Sequence, residues 1–276
     1  MRSKQIYIVP NLLTSINVLA GMFCIINASS AKSDVLMMWY AAAVLFIGMV
    51  ADILDGIISR LLRASSEFGV QYDSLADVIS FGVAPAVLAY SLGLSKLPGR
   101  MGLGISFLFT ACAALRLARY NTQATTGEKK SFAGMPTPVA AGFIASLTIV
   151  LIKYNMVEGC AVPLAIIVVV LSYLMISNVK YPSSADMIIV GKEPFVYLTV
   201  GALAIVGAGF YIEESNFIGF AAYVFYGMIR TIYNVFYPAP ERGAEAPKGL
   251  RRRFFHPQRK GRFLGRFRKN RNEKNQ

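Results

Sequence analysis

Apolar runs of about 20 residues recur along this chain, and that length is what a helix needs to cross the hydrocarbon core of a bilayer. In lipid every backbone polar group must be satisfied internally, so runs of this kind fold as helices. Their repetition predicts an all-α, polytopic transmembrane helix bundle of about eight spans. The spans fall near residues 11–29, 36–59, 67–92, 101–121, 136–154, 160–177, 194–211 and 217–237. Composition agrees: 55% of the 276 residues are hydrophobic and only 16% are charged, whereas a soluble domain of this size shows polar faces between its core positions. Short loops marked by Pro, Gly or charge separate the runs, and no internal repeat of fixed period is present. The first run is broken by Pro10, Asn11, Thr14, Ser15 and Asn17 and has no small-residue cleavage site, so it reads as a span and not as a cleavable leader.

Lys and Arg in short loops set the orientation of such a bundle. With the N-terminus in the cytoplasm, that side receives Arg2, Lys4, Arg60, Arg63, Arg116, Arg119, Lys129, Lys130, Lys180 and Lys192, and the other side only Lys32, Lys96, Arg100 and Lys153. Both termini are therefore expected in the cytoplasm, as an even number of spans requires. The net charge of +13 is concentrated at the C-terminal end. From Glu241 onward there are 13 basic and 3 acidic residues, against 15 and 12 in the rest. This divides the chain into a transmembrane domain, 1–240, and a basic, disordered cytoplasmic tail, 241–276. Cys24, Cys112 and Cys160 lie in or beside apolar runs at spacings that fit neither a disulfide framework nor a zinc site. The single histidine, His256, sits in the tail. These residues point away from zinc chemistry.

Charged side chains within spans are costly and mark function by default. Four stand close together here: Asp52 and Asp55 end the second run, and Asp73 and Asp77 lie early in the third. At helical spacing the members of the first pair lie about 60° apart and those of the second about 40° apart, so each pair projects from one face. The two helices are antiparallel neighbours, which brings the pairs to similar depth near the cytoplasmic surface. Gathered carboxylates repel one another unless a cation joins them, and an all-oxygen donor set suits a hard ion such as Mg²⁺, Mn²⁺ or Ca²⁺. Gly56, Ser59 and Gly69 beside the acids permit close approach of a helix or ligand, and Arg60 is a natural phosphate partner. The residues alone leave two classes open, a metal-dependent enzyme and an acid-lined cation or proton-coupled transporter. The glycine and arginine framework favours the enzyme, and the inverted repeats of transporters are absent.

The stretch from Asp52 to Asp77 resembles the signature of the CDP-alcohol phosphatidyltransferases, D-x-x-D-G-x-x-A-R, eight residues, G-x-x-x-D-x-x-x-D. It reads Asp52, Asp55, Gly56, Ser59, Arg60, Gly69, Asp73, Asp77 with every spacing kept, and Ser59 stands where alanine is usual. Pro10 to Thr14, Ser80 to Pro85, Arg116 to Asn121 and Phe132 to Pro138 look like the phosphatidylserine synthase branch of that family. The resemblance covers residues 10–182. It implies transfer of a phosphatidyl group from CDP-diacylglycerol to L-serine, with release of CMP. It also implies two divalent ions, Mg²⁺ or Mn²⁺, on Asp52, Asp55, Asp73 and Asp77, with Asp77 also taking the acceptor's proton. Gly56, Ser59, Arg60, Gly69 and Thr14 would bind the CDP-lipid, and the chain would be a homodimer. Glycerol phosphate, inositol phosphate and choline are the alternative acceptors.

For the acceptor pocket, Arg116 and Arg119 stand level with the acids, and a bidentate arginine matches the serine carboxylate. They serve equally well as topology anchors. Asn121 and Thr137 are further polar candidates at that level. In the tail, cations interleave with Phe254, Phe255, Phe263, Leu264 and Phe267, a pattern suited to an anionic lipid surface; nothing in it reads nucleic-acid bases. The N-terminus has no transit-peptide character, which directs the expectation to a bacterial inner membrane with the active site facing the cytoplasm.

Overall fold

The computed structural model describes residues 8–31, 34–62, 67–125, 134–177 and 212–236; their regular elements are helices, with no strand among them. In chain order the elements are α1 (Ile8–Ser30), α2 (Val35–Leu62), α3 (Glu67–Asp77), a π-helical segment (Val78–Val83), α4 (Ala84–Leu92), a 3₁₀ turn (Leu94–Lys96), α5 (Met101–Thr125), α6 (Thr137–Lys153), α7 (Ala161–Ile176) and α8 (Ile212–Phe236). The expected span at 194–211 and the basic tail lie outside the described residues.

Among the described residues, four stretches are long and apolar enough to cross a membrane: Asn11–Ser30, Val35–Ser59, Glu67–Leu92 and Met101–Thr122. α6 and α7 are apolar but shorter, at 17 and 16 residues. α8 begins at Ile212, several residues ahead of the apolar run that predicted it, because Glu213, Glu214, Ser215 and Asn216 join the helix as a polar first turn. The chain is a membrane protein of helices.

Local chemistry sets the helix starts. Asp34 precedes α2 and its Oδ1 accepts the backbone N–H of Leu36 at 2.9 Å and of Met37 at 3.2 Å, satisfying donors that a helix N-terminus leaves orphaned. Pro138 is the second residue of α6, where its missing N–H is not needed.

The third expected span is not one uninterrupted helix. Between Asp77 and Ala84 the ladder widens, and the N–H of Ala84 donates to the carbonyl of Ile79. Pro85 explains the break in register, since it has no N–H for the carbonyl of Phe81 and its ring would clash there in an α-helix. A π-turn adjusts the direction of the side chains around it, and here it separates Asp77 from the apolar helix that follows.

α1 and α2 pack along their lengths, and the π segment touches α1, α2, α4, α5 and α6. α6 runs through the middle, with buried residues from Ala140 to Ile149 on every face. Lipid tails are as apolar as leucine, so such helices associate through close van der Waals packing and hydrogen bonds. α6 accordingly offers Ala140, Ala141, Gly142 and Ala145 to its neighbours. α8 docks on it through Phe217, whose ring lies 5.5 Å from that of Phe143, and Phe220, which covers Gly142 and stands 6.3 Å from Phe46. Lys153 and Tyr154 bind Glu214 Oε1 at 2.5 and 3.1 Å. The three cysteines are free and buried.

Candidate active site

Asp52, Asp73 and Asp77 each place a carboxylate oxygen within 4.8 Å of the others. α2 brings the first as it leaves the apolar stretch, and α3, returning beside it, brings the other two. Asp55 lies one turn beyond Asp52 and is 7% exposed. Its Oδ2 accepts the hydroxyl of Thr14 at 2.5 Å, while its Oδ1 is buried with no hydrogen-bond partner among the described residues. Asp52 and Asp73 each interact electrostatically with the other three acids.

The chemistry of this donor set fits hard divalent cations. It is all carboxylate oxygen, three members converge within the spread of one coordination sphere, and the orphaned oxygen of Asp55 is an anionic atom lacking a partner. Neither nitrogen nor sulfur stands among these donors, so zinc and soft metals are poorly matched.

α1 forms the inner wall. Thr14 and Asn17 are one turn apart, buried to 3% and 0% exposure, and each donates to a different acid: Thr14 to Asp55, and Asn17 Nδ2 to Asp77 Oδ1 at 3.3 Å. Next to them the hydroxyls of Ser15 and Tyr72 share a hydrogen bond of 2.9 Å. Gly56 and Ser59 follow the acids on α2 and are partly buried, and Gly69 precedes Asp73 on α3. The side chain of Arg60 lies outside the described atoms.

α5 and α6 form the opposite wall. Arg116 is directed at Thr137, donating from an Nη1 to the threonine Oγ1 at 3.3 Å, and it interacts electrostatically with Asp77 and with Tyr223 of α8. Its Nε is buried without a hydrogen-bond partner among the described residues, so the guanidinium keeps a donor available. Arg119, one turn on, instead donates to the backbone carbonyl of Ile176 at the end of α7, at 3.4 Å. Asn121 donates to Ser74 at 2.8 Å, tying α5 to the helix that carries Asp73 and Asp77.

Thus Arg116 and Thr137 are brought together beside Asp77, Arg119 is turned to α7, and Asn121 supports α3. Thr14, expected at the CDP-lipid, meets an acid directly. Two residues of the site escaped sequence reasoning. Asn17 was legible as a polar side chain one helical turn from Thr14 inside an apolar run. Tyr223 had no such signal, because a tyrosine in a span is ordinary.

Comparison with known proteins gives the geometry its context. The pattern of the CDP-alcohol phosphatidyltransferase family matches residues 7–176. A CDP-diacylglycerol–serine O-phosphatidyltransferase of Helicobacter pylori is 39% identical over 185 residues, covering 66% of this chain and 75% of the relative. Proteins of the same name are similar in Bacillus subtilis, 41% identical over 143 residues (51% of this chain, 75% of the relative), and in Methanocaldococcus jannaschii, 28% over 229 residues (83% and 96%). The matched region holds all four acids, both arginines and the helix walls around them, and the chain belongs to the CDP-alcohol phosphatidyltransferase family.

Proposed function

We propose that this protein transfers the phosphatidyl group of CDP-diacylglycerol to the hydroxyl of L-serine, giving phosphatidylserine and CMP. The observation that carries the reading is the convergence of Asp52, Asp73 and Asp77 within 4.8 Å in a chain whose curated relatives bear that activity in their names. The transporter alternative falls with the family assignment.

In this reading Asp52, Asp55, Asp73 and Asp77 would hold two divalent ions, Mg²⁺ or Mn²⁺. Such ions would supply neutralising charge for the diphosphate of the CDP-lipid and for the leaving CMP. Gly56, Ser59, Arg60 and Gly69 line the nucleotide, and the acyl chains extend sideways into lipid. Thr14 keeps Asp55 oriented through its hydroxyl. Arg116, backed by Thr137, receives the serine carboxylate; its buried Nε without a hydrogen-bond partner among the described residues and its closeness to Asp77 favour it over Arg119. Asp77 accepts the proton of the serine hydroxyl as the serine oxygen bonds to phosphorus. The bond from phosphorus to CMP breaks in the same displacement, and the proton passes on to solvent. A hydroxyl is a poor nucleophile without such a positioned base.

The distribution of Lys and Arg supports eight spans with both termini and the site on the cytoplasmic side, in a bacterial inner membrane. The first 240 residues then form the catalytic domain, working as a homodimer, and the tail rests on anionic lipid.

Asp77→Asn tests the chemistry. It keeps CDP-diacylglycerol binding in the presence of Mn²⁺, measured by calorimetric titration, and loses CMP release by roughly 10²–10⁴-fold. Asp52→Asn and Asp73→Asn lose metal-dependent binding of the lipid as well. Near-parental turnover by Asp77→Asn would remove this residue from the chemistry.

A further inference from the structure

Asn17 stands in the middle of a membrane helix with its amide fully buried, at 0% exposure. A buried polar group without full hydrogen bonding is costly, and here the cost is present: Oδ1 has no partner among the described residues. An apolar side chain would avoid it. Three elements are nevertheless shaped around this residue. Its backbone carbonyl accepts the hydroxyl of Ser80 in the π segment at 2.8 Å. On α2 the facing residue is Gly48, where a Cβ would stand 3.1 Å from Oδ1. One turn further along α1, a Cβ on Gly21 would stand 2.7 Å from Ser80 Oγ. Among the described residues, the polar contact that the buried side chain itself makes is the donation from Nδ2 to Asp77 Oδ1, at 3.3 Å.

We infer that Asn17 is a positioning residue for Asp77, fixing one carboxylate oxygen by its amide N–H so that the other faces the acceptor hydroxyl in a single direction. The inference rests on the reading of Asp77 as the group that takes the acceptor's proton. The terminal torsion of an aspartate is broad and two-fold by itself, so a carboxylate without an anchor presents its oxygens in several directions. An amide suits the task because it is a neutral donor. A lysine or arginine at this place would pair with Asp77 and compete with a divalent ion for it. A second aspartate would add a like charge to a cluster that already holds four. The anchor is itself held from behind by Ser80, three residues along the same helical path from Asp77, so the donor and the acceptor belong to one packed unit.

The test is a double-mutant cycle in CMP release, with Asn17→Leu, Asp77→Asn and the combined variant measured in one detergent. Asn17→Leu is expected to lower kcat about 10–100-fold, in line with the effect of misplacing a catalytic group by up to about 1 Å. The KM values for CDP-diacylglycerol and serine should stay within about threefold of the parent, since the contact serves the reacting geometry and not ground-state binding. In the combined variant the two losses do not multiply: it turns over as Asp77→Asn does, because the amide has nothing left to position. A multiplying loss, or a parental kcat in Asn17→Leu, overturns the inference while leaving Asp77 in its role. Parental turnover by Asp77→Asn overturns the reading of Asp77 and this inference with it. Should Asn17→Leu fail to accumulate in membranes, Asn17→Ser reads the same quantity, since its short side chain suits close helix packing but does not reach Asp77. A kcat loss of the same order supports the inference, and parental kcat overturns it.

Discussion

The close seating of α1 against the π segment makes Gly21→Ala a demanding test of how the site is held. The added methyl would lie 2.7 Å from Ser80 Oγ and 2.8 Å from Ser80 Cα. The hydroxyl could rotate, at the loss of its bond to the Asn17 carbonyl, but a backbone atom cannot step aside alone. Restoring an ordinary contact requires α1 and the π segment to part by roughly 0.6 Å, an overpacking that costs about 1–3 kcal/mol. Better helix propensity returns about 0.5–1 kcal/mol of that. Asn17 sits on α1 and Asp77 immediately precedes the π segment, so their 3.3 Å hydrogen bond stretches beyond useful length. Misplacement by about 1 Å lowers rates about 10²-fold, so a shift near half that size should lower kcat about tenfold. Gly104→Ala is the matched control: that glycine is exposed on α5 with nothing within 4 Å of an added Cβ. It should keep parental kcat and melt slightly higher. Steady-state CMP release and thermal unfolding in the same detergent measure both quantities. A Gly21→Ala protein with parental kcat and melting temperature would refute the argument that this contact sets the geometry of Asp77.

Three further outcomes are expected. EDTA should abolish CMP release and Mg²⁺ or Mn²⁺ restore it; full activity in chelator would refute a metal role for the acids. Arg116→Lys, which keeps charge but loses the planar fork, should raise the serine KM by tenfold or more, roughly the size of one charge-assisted hydrogen bond, with little effect on CDP-diacylglycerol. Arg119→Lys should change neither KM much, because Arg119 donates to the Ile176 carbonyl; equal effects of both on serine would refute the distinction. Truncation after Pro240 removes a net charge of +10, and should leave turnover in detergent intact while weakening stimulation by anionic vesicles. Collapse of turnover in detergent would assign the tail to the catalytic fold.

The membrane class, the helices and the acid cluster were legible in the residues alone, because each rests on local physics. A run of about 20 apolar residues has few ways to satisfy its backbone in lipid other than a helix. Acids three or four apart share a face whatever the helix packs against. What tertiary structure decided depends on which helices touch, and no local pattern carries that. The π-turn at Val78–Val83 had a proline as its only sign, and a proline inside an apolar run permits a kink, a break or a register shift. Asp55 was equivalent to the other acids by spacing, yet packing of α1 on α2 gives it Thr14 as a partner while Asp52 joins Asp73 and Asp77. Arg116 and Arg119 were equivalent candidates one turn apart on α5. Only the placement of α6 and α7 separates them, setting Thr137 beside the first and the carbonyl of Ile176 beside the second. Asn17 looked like an interruption of a span until the return of α3 put Asp77 against it, since a hydrogen bond across 60 residues of sequence exists only once the chain has folded back.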